Sequence, residues 1–350
     1  MKKFQFKKRN TEKAAPSRIT NETVAEHRER ILAGGRRFKY PVQYARHRLV
    51  FNTIIVTVVA LLLIVSLGWW QLYAVQNTST FFYRVARVLP LPVASIDGES
   101  VRYGDYMMYY NSSIHYLQQS EQVNIQSEDG KRQVDYVKRK SMDTVLSDAY
   151  AAKRARELNI TVDNERVDKV IEDDRNTANG TISQETYDAS ALNVLGWSPD
   201  EYRQDARNKL IRQDVSYAID TIAKQKQEQA ASLLKQNQNL EQVAAEVGGE
   251  GTAKVIVGTS GIVPRTNRDG GLSAAAAALE KDKVSGVIKT TTGDGYYFVK
   301  LLEKNDTQVS YAYLKVPLTA FSDQVALLKK DNKVKEYITI PAVDNQSASK

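Results

Sequence analysis

Residues 49–70 read LVFNTIIVTVVALLLIVSLGWW, 22 positions from Leu49 to Trp70 without a formal charge. At 1.5 Å per residue a helix of that length spans about 33 Å, enough for a hydrocarbon layer of about 30 Å. Trp69, Trp70 and Tyr73 stand at its far end, where aromatic rings favour the headgroup boundary. A cleaved leader would have an apolar stretch of only about 7–15 residues behind a short basic start. This one is longer and follows 48 residues. A buried helix of a soluble domain would show an apolar stripe backed by polar positions, and this stretch is apolar on every side. The reading is a single membrane-crossing helix over 49–72.

Outward toward the N-terminus the chain is basic. Residues 1–48 hold 14 Lys/Arg and 4 Glu, a balance of +10 within a total of +8, so the rest sums to −2. The high pI therefore belongs to the tail and implies no basic nucleic-acid face on the larger part. Arg36, Arg37, Lys39, Arg46 and Arg48 precede the apolar stretch closely, and only Arg84 and Arg87 follow it closely. The positive-inside bias puts 1–48 in the cytoplasm and the bulk of the chain outside. Leu49, Trp69, Trp70, Arg46 and Arg48 are the expected anchor residues. The cluster Lys2, Lys3, Lys7, Lys8 and Arg9 suits topology and attraction to anionic lipid, with RNA binding the other reading. Within the tail, Glu22 to Leu32 allows a short helix.

Outward toward the C-terminus, 73–92 reads as a linker skimming the membrane surface, with Phe81, Phe82 and Tyr83 apolar and Pro90 and Pro92 ending any helix. Asp97-Gly98 between short apolar runs signals a hairpin. Met142, Val145, Leu146, Ala149 and Ala152 mark one face of a helix. Helix starts are written at Asp163, Ser183 and Ser198. The last carries Trp197 before the cap, Pro199 at the first helical position and Glu201 to close a capping box. Its apolar face, Ile211, Val215, Ala218 and Ile222, suggests a helix continuing past Ala223 toward Leu234. Leu240 to Ala245 ends a helix at Gly248-Gly249. Thereafter strands are expected at 254–257, 284–289, 296–302 and 309–316, a helix at 272–279, a last helix at 322–330 and a polar tail.

Several of these segments carry a resemblance. Ala94-Ser95-Ile96-Asp97-Gly98-Glu99-Ser100-Val101, with Tyr103 to Tyr106 opening a helix, resembles the start of foldases of the SurA/PrsA/PpiD type. Leu146 to Leu158 with Asn159-Ile160-Thr161-Val162, and Leu195-Gly196-Trp197-Ser198-Pro199-Asp200-Glu201-Tyr202, are similar to later parts of the same module, so the resemblance covers about 93–225. Leu240 to Ala244, Ala278 to Thr290 and Gly293 to Lys300 resemble parvulin-type prolyl isomerases over about 224–304. The implied architecture is one transmembrane helix, a mostly helical chaperone module at 93–225, and a small α+β parvulin-like domain at 226–318, with 319–350 a helix and polar tail.

The second resemblance is degenerate. No first strand precedes Leu240, Tyr296 and Tyr297 stand where the family would carry a histidine, and Arg268-Asp269-Gly270-Gly271 only echoes its central loop. The chain's three histidines, His27, His47 and His115, all lie elsewhere. Val309 to Val316 is a candidate for the missing strand in permuted order.

Without cysteine there is no disulfide, thiolate nucleophile or Cys-based zinc site. No nucleophile elbow, P-loop or H-E-x-x-H pattern occurs. Neither cofactor nor metal is expected, and Glu172-Asp173-Asp174 reads as a solvated helix end. Tyr296 and Tyr297 are the weak catalytic candidates. The competing reading has one packed in the core and the other facing solvent, as strand alternation requires. Tyr103, Tyr106, Met107, Met108, Tyr109 and Tyr110 form a Met/Tyr cluster suited to adaptable surfaces, with Tyr103, Tyr106, Met107 and Tyr110 the candidate peptide-binding residues. The competing reading is that half of the cluster forms the core face of its helix. The resemblance implies unfolded or newly secreted polypeptides as partners and membrane lipid around the helix. A prolyl isomerase and an accessory subunit of a translocon or other membrane complex are the alternatives.

Overall fold

The computed structural model describes residues 20–177, 180–236 and 238–342. Lys2, Lys3, Lys7, Lys8 and Arg9 lie outside them. The chain divides after Gln71 into two compact units.

The first unit is dominated by one helix, α1 (Asn21–Trp69). The backbone is helical from Asn21 onward, where at most a short helix over 22–32 was expected. His47–Ala74 is a 28-residue stretch long and apolar enough to cross a membrane. Leu49, Trp69 and Trp70 are exposed along it, as lipid-facing side chains would be. Arg48 is exposed as well, and Arg46 falls outside the described side chains.

In the second unit, residues expected to form a linker include a helix, α2 (Thr80–Val88). Pro90 lies two residues past its end. A hairpin follows, β1 (Pro92–Ile96) and β2 (Glu99–Arg102). Its turn residues Asp97 and Gly98 have φ of 48° and 81°, the left-handed pair that a two-residue hairpin needs. Next come α3 (Tyr103–Gln119), α4 (Glu128–Glu157) and α5 (Asn164–Arg175). A small ribbon, β3 (Asn176–Thr177) and β4 (Gly180–Thr181), leads to α6 (Gln184–Leu195) and α7 (Pro199–Ile219). The side chains of Asp163 and Ser183 cap α5 and α6, and Ser198 with Glu201 forms the capping box of α7, so local chemistry sets all three starts.

The long helix expected to run past Ala223 breaks at Asp220, and α8 (Thr221–Lys235) starts afresh. Asp220 Oδ1 accepts from the Ala223 N–H at 2.8 Å. Its Oδ2 accepts from the N–H groups of Thr319 and Ala320 at 2.8 and 3.0 Å. The chain leaves the helical part at residue 220 and returns to it at 319, and this one buried carboxylate pins both crossings.

Between the crossings lie α9 (Leu240–Val247), β5 (Ile256–Pro264), α10 (Leu272–Ala278), β6 (Ile288–Lys289), β7 (Gly295–Lys304) and β8 (Gln308–Pro317). The antiparallel sheet runs β5-β8-β7-β6. The candidate strand 309–316 therefore joins the sheet, and does so centrally. One sheet face packs on α8 and α9 through Tyr296, Phe298, Leu314 and Val316, and the other on α10 through Tyr297, Val299, Leu301 and Tyr311.

After the return, α11 (Ala320–Lys330) leads into β9 (Val334–Glu336), which pairs with β1. That strand was expected to be polar tail. Ile338 beyond it is buried with Ile96, Tyr103, Met142 and Leu146 in the helical part's core. Arg139 of α4 grips Glu336 through two N–H···O contacts of 2.6 and 3.1 Å. Met142 and Leu146 are fully buried, and truncating such a leucine to alanine costs about 2–5 kcal/mol.

Candidate functional site

Helix α3 has two aromatic faces with different fates. Tyr103, Tyr106 and Met107 point into the core and are 0–3% exposed. The Tyr103 hydroxyl donates to the Leu72 carbonyl at 2.7 Å, and its ring meets those of Tyr73 and Tyr106 edge-on. Tyr110 is half-buried and stacks on Tyr106 at 5.9 Å. The cluster expected to bind peptide is thus largely core packing: Tyr103, Tyr106 and Met107 have no surface to offer a ligand.

The opposite face is open. Tyr109, Ser112, Tyr116 and Leu117 of α3 line a groove of about 380 Å³, closed on one side by Tyr136 and Val137 of α4 and on the other by Leu195 and Trp197. Its free surface is mostly apolar, and Tyr116 and Tyr136 are 39% and 44% exposed at its edges. The small side chains of Ser112 and Ser113 leave room between the rings.

Trp197 is held in place by the turn before α7. Gly196 closes α6 with φ 68°, and a Cβ there would stand 3.2 Å from the His115 ring. His115 Nε2 contacts the Asn193 carbonyl at 2.9 Å, tying the turn to α3. The Trp197 ring meets Tyr109 edge-on at 6.1 Å. Behind it, the Tyr109 hydroxyl lies 2.9 Å from Asp148 and 3.1 Å from Asp205. Arg212 pairs with Asp148, and Lys209 with Asp205. Burial first, and then Asp205, push the Tyr109 hydroxyl well above its ordinary pKa. It stays a donor at neutral pH and fixes the groove floor. Glu121 and Gln133 also line the groove, but its free surface is mostly apolar, which suits apolar and aromatic side chains of a chain segment.

The second candidate region is the α10 face of the sheet. Tyr296 and Tyr297 are both buried, on opposite faces, so neither faces solvent as the competing reading required. Tyr296 packs on Tyr217 at 5.0 Å. The Tyr297 hydroxyl donates to Asp294 Oδ2 at 2.7 Å, and the Tyr311 hydroxyl to Asp269 Oδ2 at 2.7 Å. The Tyr313 ring lies between them, 5.9 and 6.5 Å from the other two centroids. Asp294 also accepts from Lys315, Thr290 and Thr292. Burial pushes its carboxyl up, but these donors outweigh burial and hold it well below the usual carboxylate range. The Tyr297 hydroxyl is raised by burial and then by Asp294. These tyrosines are neutral donors tied to carboxylates.

Of the groove residues, sequence reasoning singled out Tyr109 within the wider Met/Tyr cluster and missed Tyr116, Tyr136 and Leu195 as binding residues. The signal that could have found them is the i, i+3, i+4, i+7 spacing of Tyr103, Tyr106, Met107 and Tyr110, which marks a core stripe and leaves Tyr109, Ser112 and Tyr116 outward. Among the described residues no cluster of three or more His, Cys, Asp or Glu could hold a metal.

A family profile described as the SurA-like N-terminal domain matches residues 46–216, a range that includes every residue lining the groove. No curated protein matches the chain. The chain carries a SurA-like N-terminal domain, which supports a place in the SurA/PrsA chaperone and foldase group.

Proposed function

We propose that this chain, bearing a SurA-like N-terminal domain, is a membrane-anchored chaperone that holds unfolded secreted polypeptides in the α3–α4 groove outside the cytoplasmic membrane. The observation that carries the reading is the groove itself, mostly apolar, rimmed by exposed Tyr116 and Tyr136 and by Trp197, within the matched domain. Large rigid rings give contact area at low entropic cost. The mostly apolar free surface, with Glu121 and Gln133 the charged and amide groups on its lining, makes recognition tolerant of sequence. The stretch His47–Ala74 supplies the anchor and the basic flank the orientation, with N-terminus inside.

The place of β8 between β5 and β7 is compatible with a parvulin-like sheet in permuted order. Yet the face where Tyr297 lies is covered by tyrosines bonded to carboxylates. Isomerase activity is therefore weak or absent in this reading, and the small domain serves as scaffold or as a second client contact.

The test uses the full chain in detergent or nanodiscs with a photo-crosslinking residue at position 116 and an aggregation-prone, disulfide-free client. Suppressed aggregation with crosslinks from position 116 to the client is the expected result. Capture of one stoichiometric membrane partner, with no suppression and no client crosslink, would replace this reading with that of an accessory subunit.

A further inference from the structure

Helix α2 presents an apolar face that nothing in the described residues covers. Its inner side is fully committed. Ala86 is completely buried, Phe82 and Tyr83 pack against the core, and a Cβ on Gly104 of α3 would stand 2.6 Å from the Ala86 carbonyl oxygen. Only glycine lets α3 approach this closely, so α2 is fixed against it. On the outer side Phe81 and Val88 are 68% and 80% exposed. With Arg84 between them they occupy positions i, i+3 and i+7, one stripe of a helix.

The position of α2 in the chain narrows what can cover that stripe. The apolar stretch ends at Ala74 and α2 begins at Thr80, so the connection reaches about 20 Å at most. The tether is also held short. Leu72 is buried in the same core as Ala86, and the Tyr73 hydroxyl donates to the Pro92 carbonyl at 2.7 Å. Phe81, Val88 and the following Leu89, which is also exposed, flank the exposed Arg84, while Arg87 is turned inward onto Gln204 and Asp105. That is the composition of a helix lying in the headgroup region, with the cation reaching for phosphates and the apolar side chains turned toward the acyl boundary.

We propose that α2 lies in the outer lipid interface as a second membrane contact and fixes how the folded part stands on the bilayer. The inference rests on the membrane reading given above. The absence of cysteine makes single-cysteine variants direct. Spin labels are placed at Phe81→Cys, Val88→Cys, Leu61→Cys and Tyr136→Cys in the full chain, reconstituted in vesicles with a third of anionic lipid. Collision with oxygen is compared with collision with a water-soluble nickel chelate.

The label at 61 is expected deep in the bilayer, that at 136 in water, and those at 81 and 88 about 5–10 Å below the phosphates. A deep label at 61 with labels at 81 and 88 as accessible to nickel as 136 overturns the proposal and leaves the membrane reading intact. A label at 61 that is itself in water overturns both. Because all four positions are exposed, loss of folding does not confound the outcome.

Discussion

The groove on α3 and the α10 face of the sheet are both built from tyrosines, and they do opposite things with them. In the groove Tyr116 and Tyr136 keep free edges, and only Tyr109 is tied down, to Asp148 and Asp205. On the sheet Tyr297 and Tyr311 are buried with their hydroxyls spent on Asp294 and Asp269. An aromatic ring recognises a partner only if some of its surface is still in water beforehand. In the proposed reading the same residue type marks a binding surface in one region and a structural lock in the other, and the state of the hydroxyl and the ring edge tells them apart.

The strongest way to break this comparison is to charge the groove. Tyr116→Lys combined with Tyr136→Lys should weaken binding of an unfolded client ten- to a hundred-fold, about 1.4–2.7 kcal/mol, the size of lost aromatic anchors. Both side chains are exposed, so Tm should move by no more than about 2 °C. Peptide anisotropy titrations beside a thermal melt read both quantities. Unchanged affinity would remove the groove from the mechanism.

The converse change goes in the sheet. Tyr297→Phe deletes the donor to Asp294 and should cost about 1 kcal/mol of stability while client affinity stays within about two-fold. Denaturant unfolding gives the first number. An affinity loss as large as that of the groove variant would mean that the sheet face opens to clients and is not a lock.

A smaller effect sharpens the same contrast through pH. Asp294 and Asp269 both have folded-state pKa values below the unfolded range. Below about pH 4, near the unfolded carboxyl pKa, the unfolded chain takes up protons that the folded carboxylates refuse. Their stabilisation is complete above that pH and drains away as pH falls. Asp294 retains partial exposure, so solvent screening keeps its share under about 1 kcal/mol. Asp294→Asn should flatten the acid limb of the stability curve measured from pH 5 to pH 2. An unaltered limb would show that the cluster around Asp294 contributes nothing to the lock.

What the sequence disclosed follows the range of the interactions involved. The starts of α5, α6 and α7 were legible because a cap and the N–H it serves lie within three residues of each other. The strand β9 was not, since Val334-Lys335-Glu336 has no apolar pattern and is a strand only because β1, some 240 residues earlier, offers an edge. The break at Asp220 was hidden because the helical pattern continues on both sides. What stops the helix is a carboxylate whose second oxygen binds Thr319 and Ala320, far along the chain. In the candidate site, the aromatic helix was identified and its face was not. The spacing of Tyr103, Tyr106, Met107 and Tyr110 carried the signal for the covered stripe, and the packing of α2 and α4 against α3 bears it out.

The smallest expected effect is none at all. Prolyl isomerisation faces a barrier of about 18–20 kcal/mol set by amide resonance, and lowering it requires an apolar slot for the ring with a donor free to meet the twisted amide. On the α10 face the Tyr297 and Tyr311 hydroxyls already donate to carboxylates. Tyr313 lies between the two rings, and Lys315 holds Asp294 from the side. A proline ring entering there would displace packed aromatics and take one donor from each of two carboxylates, about 1 kcal/mol for each lost hydrogen bond. The full chain should therefore leave the rate of a proline-limited refolding reaction unchanged within experimental error, even at equimolar ratio. Acceleration that vanishes in Tyr297→Phe but survives the groove substitutions would reverse the assignment of the two regions, making the sheet the working site.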